Sequence, residues 1–318
     1  MRAVVVEHLH QQGSLHEVPV PEPGPTDVLV RITVAGINPV DWKIRDEYGH
    51  ALPFVLGQDF AGIVVGSGAA VKHYSQDDRV FGIAREHGAY AEYTVVPQDG
   101  KGQPIAHIPD SVGDADAAGL PTAGLTALAA IERMNVGAGS TLAIVGVTGS
   151  VGQFATQLAK NRGAEVIGVG SVSHTEFQQK LGLELYIPYE VEEAAQTLRR
   201  RYPDGVDFVL DLASDPEAIK GYADVLKQGG TIGSTIRSID AGFFKERGLN
   251  GLNVNLDESP QSSHDGLRRL AAMVEHGELR VPLAAEHDLE DALEALEEVK
   301  AGKVTGKSVL TVEPRNLN

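Results

Sequence analysis

A chain of 318 residues is about twice the length of an average domain, so we expect two domains. A formal net charge of −17 disfavours nucleic acid and anionic membrane surfaces as partners, because binding their phosphates requires Lys and Arg. The absence of cysteine excludes disulfides and every zinc site that uses thiolate ligands. The apolar stretch within residues 1–6 is too short for a signal peptide, because polar residues follow it at once. No apolar run approaches the ~20 residues that span a bilayer, so we expect a cytoplasmic protein.

The first third of the chain has the pattern of a mainly β domain. Short apolar runs separated by turn residues predict strands at residues 3–7, 27–35, 62–66 and 91–96. Four prolines between residues 19 and 25 predict an extended segment, because proline fixes φ and restricts the residue before it.

From residue 114 the pattern changes to alternating helices and strands. Residues 114–135 are rich in Ala and Leu and predict helix, and further helices are predicted at 151–161, 175–181, 190–201 and 216–226. Strands are predicted between them at 142–145, 165–169, 206–210 and 231–234. After residue 255 two amphipathic helices, at 265–276 and 288–301, precede a strand at 308–312. The alternation predicts an α/β protein with a doubly wound parallel sheet.

A glycine-rich loop joins the predicted strand at 142–145 to the helix that follows it. The loop is a variant of the dinucleotide-binding fingerprint, and its residues are Gly146-Val147-Thr148-Gly149-Ser150-Val151-Gly152. Gly149 lets the backbone approach a pyrophosphate, Gly152 lets the helix pack on the strand, and the helix N-terminus supplies N–H donors. Glycines also form simple turns, but the strand before the loop and the helix after it favour nucleotide binding.

The end of the second strand of this unit bears on the choice between NADH and NADPH. An NAD site usually has an acidic residue there that binds the ribose 2′-hydroxyl, and none precedes Glu176. Ser171, Ser173 and His174 offer hydrogen bonds to a 2′-phosphate instead. No Arg or Lys lies in that stretch, and Lys180 is the nearest cation on its C-terminal side. We predict NADPH as the cofactor.

Five further segments resemble the quinone oxidoreductase (zeta-crystallin-like) branch of the medium-chain dehydrogenase/reductase family. They are VAGINPVDWKIR at 34–45, LGQDFAG at 56–62, GAYAEY at 88–93, LPTAGLTA at 120–127 and GKVTGKSVL at 302–310. The segments keep the family's order over nearly the whole chain. The resemblance implies a mainly-β GroES-like catalytic domain, residues 1–118 and 257–318, interrupted by a Rossmann nucleotide-binding domain, residues 119–256.

The resemblance also implies a reductase that works without zinc. Zinc-dependent relatives have a cysteine where this chain has Asn38 and a histidine where it has Gln58, and side-chain amides are poor ligands for Zn²⁺. The cysteine-rich loop that binds structural zinc is absent as well. We therefore expect no metal. The expected reaction is hydride transfer from NADPH to a quinone or an α,β-unsaturated carbonyl, with the protein positioning the substrate and excluding water.

Two side chains are candidates for catalysis. Asn38 is expected to hydrogen-bond a substrate oxygen or the cofactor. Tyr48 resembles a tyrosine that lines the pocket in relatives, and it is either a proton donor or a wall residue without chemistry. Solvent would serve equally as the proton source for a hydroquinone. Asp41 and Asp59 are expected to be structural hydrogen-bonding residues.

Further cofactor contacts are implied by the resemblance. Thr126 is expected near the nicotinamide, Tyr189 near the adenosine phosphate and the Leu212-Ala213-Ser214 turn beside the ribose. Ser234 and Thr235 end a later strand and are expected at the same crevice.

Two other functions stay open at this point, an enoyl-thioester reductase and a non-catalytic NADPH-binding protein. The first needs a long pocket and a cationic site for the nucleotide tail, which the sequence does not reveal. Relatives commonly dimerise through the edge of the nucleotide-domain sheet, so we expect a homodimer and expect the strand at 231–236 to be that edge.

Overall fold

The computed structural model describes residues 1–8, 11–48, 51–100, 102–191, 193–236 and 238–312, with the side chain of Tyr48 outside the description. The chain divides into two compact units. The first contains Met1–Leu125 and the chain from Ser262 onward, and the second is Thr126–Gln261. The second unit is therefore an insertion in the chain of the first.

The first unit is built on two sheets. In the smaller, strands β1 (Arg2–Val6), β2 (Ser14–Glu17) and β4 (Phe54–Val55) pair antiparallel in the order β2-β1-β4. The larger sheet contains β3 (Asp27–Gly36), β5 (Asp59–Ser67), β6 (Arg79–Ile83), β7 (Tyr93–Pro97), β8 (Ile105–His107), β15 (Leu283–Asp288) and β16 (Lys307–Thr311). Its strand order is β15-β16-β3-β5-β6-β8, with β7 also paired to β3.

Strand β3 has one face on the core of this unit, and helices accompany the two sheets. Half-buried and buried residues alternate along most of β3, as in a strand with one face on the core, and its last three residues are all buried. The helices of the unit are α1 (Pro39–Lys43), α2 (Asp114–Gly119), α8 (His264–Glu275) and α9 (Ala292–Lys300), and one π-helical turn, Ile44–Tyr48, follows α1. Helix α3 (Pro121–Arg133) contains the point where the second unit begins.

The second unit contains a parallel sheet with the order β11-β10-β9-β12-β13-β14. Its strands are β9 (Thr141–Val145), β10 (Glu165–Gly170), β11 (Leu185–Pro188), β12 (Val206–Asp211), β13 (Leu226–Ser234) and β14 (Asn250–Asn253). Its helices are α4 (Ser150–Asn161), α5 (Phe177–Leu181), α6 (Ala194–Arg201) and α7 (Ala241–Lys245). The strand order reverses at β9, so the crevice beyond its carboxyl end is the expected ligand site of such a sheet.

Three predictions about this unit are wrong. Residues 216–226 do not form an α-helix, since Ala218–Val225, which contain Gly221, form a 3₁₀ helix and Leu226 already begins β13. The helix predicted from Glu190 begins only at Ala194. The strand at 231–236 is not the sheet edge, because β14 pairs with β13. The sequence of β14, Asn-Gly-Leu-Asn, has low β propensity and did not predict a strand.

Within the part of the chain that the structure describes, no helix is long and apolar enough to cross a membrane.

Candidate cofactor site and active site

The glycine loop lies at the carboxyl end of β9, where the strand order reverses. Gly146 has a φ of 82°, which favours glycine. A Cβ on Gly152 would lie 2.5 Å from the carbonyl oxygen of Gly146 and 2.7 Å from Cα of Val147. Only glycine at this position lets α4 approach the loop so closely.

The first turn of α4 fits an anion. Its N-cap is Gly149, which has no side chain to cap the helix, so no side-chain hydrogen bond covers the N-terminus. A Cβ on Gly149 would have one neighbour within 4 Å, at 3.5 Å, so the space in front of the turn is open. The carbonyl of Thr148 accepts a hydrogen bond of 2.7 Å from the amide of Gln153, which orders the loop. Uncapped N–H groups and the helix dipole together suit a pyrophosphate.

The end of β10 carries the predicted hydroxyl cluster. The Oγ atoms of Ser171 and Ser173 are 3.0 Å apart, and Ser173 Oγ is 3.2 Å from Nδ1 of His174. An acidic side chain reaches the same place, because Ser171 Oγ donates to Glu190 Oε1 at 2.6 Å and the backbone N–H of Val172 donates to its Oε2 at 2.8 Å. The sequence prediction missed Glu190, which follows the neighbouring strand β11 rather than β10 itself. Tyr189, beside it in the chain, is 59% exposed.

The remaining predicted cofactor residues of this sheet follow β12 and β13. The N–H of Leu212 donates to the carbonyl of Val145, and a Cβ on Gly146 would lie 3.4 Å from the Cβ of Ala213, so this turn borders the glycine loop. Ser234 is buried and its Oγ is 2.8 Å from Oγ of Ser238, while Thr235, at the same carboxyl edge, is half-buried.

Asp211, the last residue of β12, was not among the predicted residues. It is fully buried and accepts hydrogen bonds from the hydroxyl of Ser214, at 2.8 Å, and from its N–H. Burial raises the pKa of the Asp211 carboxyl. The parallel strands therefore bring the loop and the ends of β10, β12 and β13 to one edge. Thr126 lies on α3, half-buried.

In the first unit Asn38 belongs to a buried polar cluster. Its Nδ2 donates to Asp59 Oδ2 at 2.9 Å, and its Oδ1 accepts a hydrogen bond from Nζ of Lys307. Lys307 also lies 3.2 Å from Asp59 Oδ2. Asp59 further accepts from the hydroxyl of Thr122 at 2.6 Å. The three residues at the centre are at most 1% exposed, so the Asn38 amide is held firmly at both ends.

Lys307 was not predicted as a site residue. It lies in the matched segment 302–310, at the start of an apolar run, and an isolated Lys before a buried strand was its only signal in the sequence. Its two partners are 269 and 248 residues away in the chain.

Asp41 forms a second buried group beside Asn38. Its Oδ2 accepts from the N–H of Asn38 and from the hydroxyl of Tyr90, both at 2.8 Å. Its Oδ1 is buried without a hydrogen-bond partner among the described residues. Burial raises the pKa of Asp41 to about 7 and, together with the negative charge of Asp41, raises the pKa of Tyr90 well above its usual value. Asp41 and Asp59 thus accept hydrogen bonds within the unit, as expected.

Two further residues of this unit were named from the sequence, Gln58 as the replacement of a zinc ligand and Tyr48 as a candidate for catalysis. Gln58 is 9% exposed and lines a small cavity with Asp41 and Arg85. Tyr48 ends the π-helical turn, and the prediction for its side chain lies outside the described residues. Over the described ranges, no group of three or more His, Asp or Glu side chains is placed to hold a metal ion.

Comparison with known proteins covers both units. A family model described as an alcohol dehydrogenase GroES-like domain matches residues 24–110, and one described as a zinc-binding dehydrogenase matches residues 181–310. Together with the sheets observed in the two units, they confirm the predicted fold class, a mainly-β GroES-like part and a doubly wound Rossmann sheet.

Three similar proteins span different shares of the chain. Quinone-oxidoreductase QR1 of Triphysaria versicolor is 29% identical over 94% of this chain and 93% of that protein. The NADPH-dependent alkenal/one oxidoreductase of Arabidopsis thaliana is 33% identical over 67% of this chain and 56% of that protein. The structure of the quinone oxidoreductase from Coxiella burnetii matches with a TM-score of 0.88 and 30% identity, over 98% of this chain and 99% of that chain. This chain therefore belongs to the quinone oxidoreductase branch of the medium-chain dehydrogenase/reductase family.

Proposed function

We propose that the protein is an NADPH-dependent reductase that transfers a hydride to a quinone or an α,β-unsaturated carbonyl without zinc. The proposal depends mainly on the N-terminus of α4, which is open, has no side-chain cap and lies where the strand order of the sheet reverses. The glycine loop precedes this helix, and only glycine at position 152 lets the helix pack so closely against the loop. The acceptor class follows from the similar proteins, which are named for quinone and alkenal/one substrates.

The residues at the carboxyl edge would hold the cofactor along its length. The N–H groups of residues 150–152 would bind the pyrophosphate, and the Leu212-Ala213 turn would lie beside the ribose. Ser171 and Ser173 offer hydroxyls to a 2′-phosphate, which supports NADPH, as does the name of the Arabidopsis relative. When bound, the nicotinamide supplies the hydride.

Catalysis without zinc is supported by the surroundings of Asn38. The ammonium of Lys307 already bonds to the amide oxygen of Asn38 and pairs with Asp59, so a divalent cation at this place would meet a buried positive charge and an amide ligand that is already occupied. The amide of Asn38 has one N–H beyond its bond to Asp59, and we propose that this N–H binds the substrate oxygen. Tyr48 or solvent would supply the proton that reduction of an enone consumes.

The test is the oxidation of NADPH and NADH, followed by absorbance, with 1,4-benzoquinone, 9,10-phenanthrenequinone and a simple enone as acceptors. We expect quinone-dependent oxidation that is unchanged by EDTA. Tyr48→Phe should slow enone reduction more than quinone reduction if Tyr48 donates the proton. Tyr202→Phe is the matched control and should slow neither, because the hydroxyl of Tyr202 bonds to Glu165 at the start of β10, away from the carboxyl edge where the cofactor is proposed to bind. NADPH binding without turnover of any acceptor would favour the non-catalytic function, and activity lost in EDTA would contradict the zinc-free mechanism.

We also propose a homodimer that forms through the edge strand β14, which pairs on one side with β13. Light scattering at two protein concentrations tests it. A mass near the chain's 33.7 kDa at both concentrations would contradict the dimer.

A further inference from the structure

The end of β10 holds a carboxylate in an anion site. Two donors meet its two oxygens, since the hydroxyl of Ser171 bonds to one oxygen of Glu190 at 2.6 Å and the N–H of Val172 bonds to the other at 2.8 Å. The hydroxyl of Ser173 lies 3.0 Å from that of Ser171 and adds a third polar group. A backbone N–H and clustered hydroxyls of this kind bind anions in general, and here the anion is a side chain of the protein itself.

Sheet pairing places Glu190 there. Strand β11 pairs with β10 so that Pro188 lies opposite Gly170, and the N–H of Tyr189 donates to the carbonyl of Gly170 at 3.0 Å. Glu190 therefore leaves β11 directly beside the residues that leave β10. The hydrogen bond from Ser171 holds the pKa of Glu190 below its usual value, so its carboxylate is charged at neutral pH. The position that carries an acid in NAD-binding sheets is thus filled from the neighbouring strand.

We propose that Glu190 sets the cofactor preference, by competing with the 2′-phosphate of NADPH for Ser171 and Val172 and by accepting a hydrogen bond from the ribose 2′-hydroxyl of NADH. The inference rests on the proposed function, since it presupposes that a nicotinamide dinucleotide binds along this edge. It goes further by assigning the choice between two cofactors to one side chain.

The charges at this site give the direction of the effect. A 2′-phosphate is an anion of more than one charge and repels the carboxylate of Glu190, whereas a 2′-hydroxyl is neutral and can donate to it. Lys180 is the first Lys or Arg after residues 171–174 in the sequence, and its ammonium lies over the ring of Phe177, 4.6 Å from the ring centre. NADPH must displace Glu190, which is exposed and can turn into solvent, so the wild-type protein binds NADPH less tightly than it would without this carboxylate.

The experiment measures equilibrium dissociation constants for NADP⁺ and NAD⁺ by calorimetry, without any acceptor. Glu190→Gln keeps the shape and removes the charge, and we expect NADP⁺ to bind about tenfold more tightly and NAD⁺ to bind no more tightly than before. Glu184→Gln is the matched control. It removes the same charge from an exposed residue that precedes β11 at the opposite end of the sheet, where its N–H bonds to Val166, and both affinities should stay unchanged.

A second pair of variants identifies the donors. Ser171→Ala in the Glu190→Gln background should lose most of the gain for NADP⁺ and leave NAD⁺ binding almost unaltered. If Glu190→Gln and Glu184→Gln give the same ratio of the two affinities, the inference is overturned while the proposed function stands. If the wild-type protein binds neither nucleotide, the proposed function falls and the inference falls with it.

Discussion

Removing the charge of Lys307 should destabilise the first unit strongly. The ammonium is 1% exposed, bonds to Asn38, and pairs with Asp59, which is fully buried. Glycines make room for the side chain, since a Cβ on Gly36 would lie 3.2 Å from Cε of Lys307 and one on Gly119 would lie 3.5 Å from its Cγ. Lys307→Met keeps most of the apolar stem and removes the ammonium, so the change isolates the charge.

The expected magnitude follows from the partner that is left behind. Breaking a buried ion pair on one side costs roughly 3–5 kcal/mol, because the remaining charge stays buried without compensation. Asp59 keeps three donors, the N–H and the hydroxyl of Thr122 and the amide of Asn38, so we expect the lower end, about 3 kcal/mol. Asp59→Asn added to Lys307→Met removes the orphaned charge, and the double variant should be more stable than Lys307→Met alone.

Urea unfolding measured by tryptophan fluorescence provides the assay. Trp42 is the single tryptophan of the chain and packs against the core of the first unit, so its emission reports on that unit. Lys303→Met is the control, an exposed lysine of the same segment, and should change the free energy of unfolding by less than about 0.5 kcal/mol. A free energy of unfolding for Lys307→Met within about 1 kcal/mol of the wild-type value would refute the reasoning.

Three further predictions concern the glycine loop and the group around Asp41. Gly152→Ala should lower the melting temperature, because its Cβ would lie 2.5 Å from the carbonyl oxygen of Gly146. Gly149→Ala should leave the melting temperature nearly unchanged and weaken NADP⁺ binding. Equal melting temperatures of the two variants would contradict this difference. Folding raises the pKa of Asp41 from 3.8 to about 7, so between these pH values the folded protein binds a proton that the unfolded chain has released. The free energy of unfolding should therefore fall as pH rises from about 4 to about 7, by roughly 4 kcal/mol at most. Urea unfolding of Asp41→Asn should lack this pH-dependent loss of stability. Tyr90→Phe removes a 2.8 Å hydrogen bond to Asp41 and should cost about 2 kcal/mol of unfolding free energy at pH 8, where the acceptor is charged, a cost that should shrink at pH 5, where Asp41 is protonated.

Local patterns in the sequence carried the fold class and the cofactor loop. Strands β9 and β10 were predicted nearly to the residue because a buried strand of a parallel sheet is a continuous apolar run. Gly152 was predicted as the close-packing glycine, and its contacts with the loop support that interpretation. Weak local preferences misled the prediction at Ala218–Val225 and at β14, where glycine and asparagine obscure the pattern.

The chain by itself therefore determined most of the elements, the positions where the ligands of zinc-dependent relatives are replaced and the start of the glycine loop, since each of these depends on residues within a few positions of one another. Only the tertiary structure decided which charges meet. Glu190 reaches Ser171 across 19 residues, and Lys307 reaches Asn38 across 269. Strand order and register create such contacts, and a one-residue shift of register would turn a side chain to the other face of its sheet, so the composition of neither segment reveals its partner.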